Sequence, residues 1–221
     1  MLKIACVIPA WNEEKNIAQV IKNVRPFVDK IIVIDDASKD ATSKLAEEAG
    51  AYVIRHLINR GQGAALQTGN DYALNLGIDI IVHFDGDNQF LAEEIKDMIA
   101  PIIKNEADIV FGSRFLEKKA NLPLFKRLII YPLAQAFTRL ILGIKLSDPQ
   151  NGFRAMTRQT AEKIRIMNRE MAHNSEIQTK AFSYKLRVAE VPITVIYHHF
   201  GQKLSGGFKM IKDLFIYKLS K

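Results

Sequence analysis

Ile80-Ile81-Val82-His83-Phe84-Asp85-Gly86-Asp87 is the stretch on which the reading of this chain turns. A short apolar run bounded by Asp and Gly reads as a buried strand that ends in a turn. Two carboxylates stand one residue apart where that strand stops. A hard divalent cation takes oxygen ligands and is commonly held by one or two carboxylates together with the phosphates of a substrate. Asp85 and Asp87 are therefore either part of a polar turn or a metal site serving a phosphorylated or nucleotide-linked substrate.

The flanking pattern favours the site. Up to residue 112, short apolar runs alternate with helical stretches of mixed polarity. Strands are expected over residues 3–8, 30–34, 51–55, 79–84 and 108–111, with helices over 14–24, 40–49, 63–76 and 92–103. Further on, a turn-rich break at 148–152 precedes residues 153–157, helices near 158–167 and 174–184, and a strand over 186–196. Continuous Val/Ile strands separated by helices predict an α/β fold with a mostly parallel sheet covered on both faces. Ligands in such sheets bind beyond the carboxyl ends of the strands. The polar motifs fall at those ends: Pro9-Ala10-Trp11-Asn12-Glu13, Asp35-Asp36, Asp85-Gly86-Asp87 and Gly112-Ser113-Arg114.

At 221 residues and 48% apolar content, the chain can bury the core of one domain, residues 1–221, with an appendage. The single cysteine, Cys6, excludes an intramolecular disulfide framework and reads as a small buried hydrophobe. The first nine residues hold too short an apolar stretch for a signal peptide, so a cytoplasmic protein is expected. The net charge of +7 is unevenly placed. Residues 114–145 carry seven basic side chains against Glu117, and residues 203–221 carry five lysines against Asp213, leaving the rest slightly acidic. Both basic segments are rich in Leu, Ile and Phe, which fits an anionic membrane surface better than nucleic acid. Within 122–143 the longest charge-free piece is 11 residues, and Pro132 and Arg139 interrupt the segment. Spanning a bilayer takes about 20 apolar residues. An amphipathic helix lying at the interface is expected instead, so the protein should be peripherally associated with the membrane.

Five motifs in order resemble glycosyltransferase family 2, the inverting nucleotide-sugar transferases of the GT-A fold. They are Pro9-Ala10-Trp11-Asn12-Glu13, then Asp35-Asp36 with Ser38 and Asp40, then Asn59-Arg60-Gly61 with Gly63-Ala64-Ala65-Leu66, then Asp85-Gly86-Asp87 with Gln89, and finally Asp148-Pro149-Gln150-Asn151-Gly152-Phe153-Arg154. The chain is most similar to the dolichyl- or polyprenyl-phosphate sugar synthases. Two stretches depart from the family pattern. Gln89 is followed by Phe90-Leu91-Ala92-Glu93 rather than a Pro-Glu pair, and the stretch from His198 to Ser205 lacks the usual Arg-x-Gly-x-Ser-Lys form, with Lys203 as its candidate cation.

The resemblance implies residues 1–112 as the nucleotide-sugar half and 113–221 as the acceptor half with its interface helices. It implies displacement at the anomeric carbon of a GDP- or UDP-sugar, with Mg2+ or Mn2+ stabilising the leaving diphosphate. Asp87 would hold the ion, with Asp85 and Gln89 as further ligands. Pro9, Trp11, Glu13 and Asp36 would form the base pocket, and Arg60, Gly61, Asp85 and Gly86 would complete the nucleotide-sugar site. Arg114, Arg154 and Lys203 would neutralise phosphates, and Asp148 would be the base if the acceptor is an alcohol. His198 and His199 read most simply as an exposed strand end. The expected partners are a nucleotide sugar, polyprenyl phosphate, the membrane surface contacted by residues 122–142 and 208–219, and a separate membrane-spanning protein, with no nucleic acid. Three rival readings remain: the same fold acting on a saccharide or protein hydroxyl, a sugar-phosphate nucleotidyltransferase, and a non-enzymatic membrane scaffold. The nucleotidyltransferase would need a Gly- and Lys/Arg-rich loop after the first strand, where this chain has Pro9 to Glu13. The complete metal and base motifs weigh against the scaffold.

Overall fold

The computed structural model describes residues 2–116, 146–168 and 172–196. The strands are β1 (Ile4–Ala10), β2 (Lys30–Asp35), β3 (Tyr52–Arg55), β4 (Ile80–His83), β5 (Ile109–Ser113), β6 (Arg154–Thr157) and β7 (Val188–Pro192). The helices are α1 (Ile17–Val24), α2 (Thr42–Glu48), α3 (Gln62–Asn75), α4 (Ile95–Ile103), α5 (Arg158–Lys163) and α6 (His173–Ser183). The strands form one sheet in the order β3-β2-β1-β4-β6-β5-β7. All pairings are parallel except those of β6, which runs antiparallel to both β4 and β5.

The near-continuous Val/Ile content of the central strands follows from burial on both sides. Ile8, Val33, Val82 and Phe153 pack beneath α1 and α4, whereas Val7, Ile34, Ile81 and Phe111 pack beneath α3 and α6. Helix α1 shows the matching helical period, burying Ile17, Val20, Ile21 and Val24. Cys6 is fully buried in the first of these cores, and burial raises its thiol well above the ordinary value. It therefore serves as core.

The antiparallel strand has a topological cause. The chain leaves the carboxyl end of β5 at Ser113 and comes back beside it, where the Ser113 and Ser147 hydroxyls lie 2.6 Å apart. A strand that starts at that end must run down the sheet, against its neighbours. The same reversal brings the 148–153 turn to the end of the sheet where β4 delivers Asp85. Phe84, Phe90 and Phe153 stack there with ring centroids 5.1–5.6 Å apart, fixing the two segments together.

Several elements are shorter than the sequence pattern suggests, and for three of them the cause is visible. The first helix starts at Ile17 rather than at residue 14, because backbone amides of the preceding turn bond to side chains after β2: Asn12 to Ser38, Glu13 to Thr42 and Glu14 to Asp40. The fifth helix stops at Lys163, and the amides of Met167 and Asn168 are taken by the Glu176 carboxylate. The last strand ends at Pro192, after which the chain turns so that Thr194 donates to Glu94 and Val195 bridges to Phe90. The proposed interface segments 122–142 and 208–219 lie outside the described residues. Among the described residues, no helix is long and apolar enough to cross a membrane.

Candidate functional site

A cavity of about 550 Å³ opens at the carboxyl ends of β1, β2 and β4. The β1 end supplies Pro9, Ala10, Trp11 and Glu13, and the β2 end supplies Asp36. The loop into α3 adds Asn59 and Gly61, the first turn of α3 adds Gln62 and Ala65, and the β4 end adds Asp85, Gly86 and Asp87. Trp11 is 55% exposed, so its indole is presented as a wall of the cavity instead of being spent in the core.

Local hydrogen bonding explains how these loops keep their shape. Asp35 is fully buried at the end of β2, where its carboxylate accepts from the Ser38 amide (2.9 Å) and the Ser43 hydroxyl and pairs with Arg55. Asp36 accepts from His56 Nδ1 (2.6 Å) and from the backbone amides of Arg60 (2.9 Å) and Gly61 (2.7 Å). It thus ties the β2 end to the entry of α3, and the exposed side chain of Arg60 stands outside the cavity lining. Asn12, Ala37 and Asn88 adopt left-handed backbone, one in each of the loops after β1, β2 and β4. Such conformations cost of order 1–3 kcal/mol each and cluster where function requires them.

The carboxylates crowd at the floor of the cavity. Asp85 is pushed up to about 7, first by burial and next by the charge of Asp87, while Arg154 and a hydrogen bond from Gln62 Nε2 (2.9 Å) act the other way. Glu13 is also raised, chiefly by burial and partly by Asp87, against a hydrogen bond from Asn16. A cation among these groups would relieve that repulsion. The donor chemistry fits a hard ion: two carboxylates one residue apart, facing an open space in which a ligand's phosphates can complete the oxygen shell. Among the described residues no larger group of His, Cys, Asp and Glu gathers as a metal cluster, so ligand oxygens would be needed.

Other residues singled out in the sequence lie elsewhere. Asp148 and Arg114 form a bidentate pair, with Arg114 Nε 2.6 Å from Oδ2 and Nη2 2.7 Å from Oδ1, and the Asp148 side chain is 1% exposed. Neither lines the cavity. Gln89 also stands outside the lining; its amide bonds to Asp87 Oδ1 at 3.1 Å and its carbonyl accepts from Ile196. Arg154 is fully buried behind Asp85, so its guanidinium has no open face for a bound phosphate. Lys203, His198 and His199 lie outside the described residues. Asn59 and Gln62 belong to a motif visible in the sequence, but nothing in their residue types pointed to the cavity wall or to Asp85.

Gly152 is a close-approach position. A Cβ built there would sit 2.8 Å from Asp85 Oδ2 and 3.2 Å from Oδ1. Gly152→Ala should therefore force the Asp85 carboxylate to rotate away. The expected result is a roughly 10- to 100-fold fall in activity, with Tm changed by no more than about 2 °C, read from steady-state kinetics beside thermal melts.

Comparison with known proteins gives a consistent picture. The model of glycosyl transferase family 2 matches residues 5–165. The chain is 34% identical to the UDP-N-acetylglucosamine–dolichyl-phosphate N-acetylglucosaminyltransferase of Methanococcus voltae, covering 99% of this chain and 97% of that protein. It is 29% identical to the polyprenol monophosphomannose synthase of Mycolicibacterium smegmatis, covering 90% and 80%. The fold matches the glucosyl-3-phosphoglycerate synthase of Mycobacterium tuberculosis, crystallised with Mn2+, UDP and phosphoglyceric acid, with a TM-score of 0.77 and 22% identity over 99% of this chain and 78% of that one.

Proposed function

The chain belongs to glycosyl transferase family 2, and from that premise we propose that it moves a sugar from a nucleotide sugar to a polyprenyl or dolichyl phosphate, with inversion, at the cytoplasmic face of a membrane. The donor's base and ribose occupy the wall formed by Trp11, Asp36 and Gly61, and its diphosphate lies over Asp85 and Asp87. Mg2+ or Mn2+ held by those two carboxylates supplies charge neutralisation for the departing diphosphate. An acceptor phosphate oxygen forms its bond to the anomeric carbon as the bond to the diphosphate breaks, and the released electron pair leaves with the nucleotide.

The observation that carries the acceptor is the state of Asp148. An alcohol acceptor needs a base to take its proton, but this carboxylate is buried in a bidentate pair with Arg114. A phosphate monoester, with a second pKa near 6, is already anionic at neutral pH and needs none. Similarity over at least 90% of this chain to relatives named for dolichyl and polyprenol phosphates supports the same choice. On this reading Asp148 and Arg114 together hold the turn on the acceptor side, and Lys203 supplies the cation for the acceptor phosphate. Residues 122–142 and 208–219 supply the contact with the lipid surface.

The test incubates purified protein with Mn2+, polyprenyl phosphate and radiolabelled GDP-mannose, UDP-glucose or UDP-N-acetylglucosamine in turn. Label from one of them is expected in the organic phase, lost on adding EDTA. Nucleotide release with the lipid unlabelled would instead direct the search to hydroxyl acceptors.

A further inference from the structure

Arg154 is the largest fully buried side chain of the described residues, and the cavity does not reach it. Burying a guanidinium is costly unless its donors are satisfied, so its surroundings indicate its task. Nε donates to the Gly152 carbonyl (3.1 Å), and Nη2 donates to the Asn151 carbonyl (3.3 Å) and to Asn174 Oδ1. Nη1 has no hydrogen-bond partner among the described residues. Asn174, 4% exposed, comes from the first turn of α6, an element far along the chain, and is not itself part of the cavity lining. Gly152, held by Arg154, is the residue against which the Asp85 carboxylate rests.

We propose that Asn174 is a positioning residue for the cation site: its side-chain oxygen locks Arg154, Arg154 holds the Asn151 and Gly152 carbonyls, and Gly152 seats Asp85. The inference rests on the reading of Asp85 and Asp87 as the cation-binding pair. Its physical basis is the low tolerance of such a brace. Without the Asn174 oxygen, Nη2 loses one of its two acceptors in a buried setting, and the guanidinium must shift to recover it. The turn it holds then shifts against Asp85. Groups that orient metal ligands from behind typically change metal affinity or activity by 10- to 100-fold when removed.

The experiment measures Mn2+ binding by the loss of the free-ion EPR signal, with UDP or GDP present, alongside thermal melts. Asn174→Leu, with the same branching and number of side-chain heavy atoms but bulkier and lacking the oxygen, is expected to weaken Mn2+ binding about tenfold while keeping a cooperative melt. Asn174→Asp retains an acceptor for Arg154 and is expected to bind within about threefold of wild type. If Asn174→Leu does not melt cooperatively, Asn174→Ser answers the same question, because its hydroxyl is too short to reach Arg154. Wild-type Mn2+ affinity in the folded Leu or Ser variant overturns the inference and leaves the cation site standing. Wild-type protein whose Mn2+ binding is absent, or indifferent to Asp87→Ala, overturns the cation reading itself and this inference with it.

Discussion

Asp87→Ala is expected to lower sugar transfer about a thousandfold at saturating donor, with a melting curve near that of the wild type. The two halves of that expectation have separate causes. Asp87 lines the cavity beside Asp85 and is only half buried, so its loss opens no hole in the core. Its carboxylate is nevertheless, with that of Asp85, one of the pair proposed to hold the ion beside the diphosphate. Stabilising the charge of a departing diphosphate is worth several kcal/mol, and about 1.4 kcal/mol corresponds to tenfold in rate. The remaining carboxylate cannot substitute, because Asp85 is hydrogen-bonded to Gln62 and packed on Gly152. The check is kcat with and without added Mn2+ for both proteins. A variant within tenfold of wild type would remove Asp87 from the reaction.

Gly63→Ala should be the most destabilising small substitution near the site. A Cβ at this position would lie 2.0 Å from the Asn168 carbonyl oxygen and 2.9 Å from the His173 Cβ. The first contact is with backbone, which cannot swing aside as a side-chain tip can. Helix α3 would have to separate from the segment leading into α6, and that segment is itself fixed by the Glu176 carboxylate on the amides of Met167 and Asn168. Overpacking of this kind typically costs 1–3 kcal/mol and occasionally more. With both sides backbone-anchored we expect about 3 kcal/mol, a fall in Tm of roughly 6–12 °C for a protein of this size. Activity should fall as well, because the first turn of α3 carries Gln62, the donor to Asp85. Calorimetry and donor kinetics on the same preparation measure both effects, and an unchanged Tm would show that the α3 contact yields easily.

How much of this was legible in advance depended on how local the cause was. The parallel strands were readable because burial on both faces demands unbroken Val/Ile runs, and the placing of Trp11, Asp36 and Asp85 at one end of the sheet followed from strand direction alone. The antiparallel course of β6 was not, since it depends on where the chain returns after β5 and not on residues 154–157. The roles of Arg114 and Asp148 show the same limit. Their types suggested phosphate contact and a base, while their geometry is that of a buried bidentate pair. Asn174 carried no signal whatever, because its partner lies 20 residues away in sequence, on a strand whose direction the sequence left undecided.

The most direct measurement compares two acceptors that differ only in their headgroup: a polyprenyl phosphate and the polyprenol of the same chain length, in the same detergent, with the donor identified by the panel. If the nucleophile is an already ionised phosphate and Asp148 is not a base, the phosphate is labelled in a Mn2+-dependent manner and the alcohol stays at background. Equal labelling of the alcohol, lost in Asp148→Asn, would contradict the account and return Asp148 to the role of base.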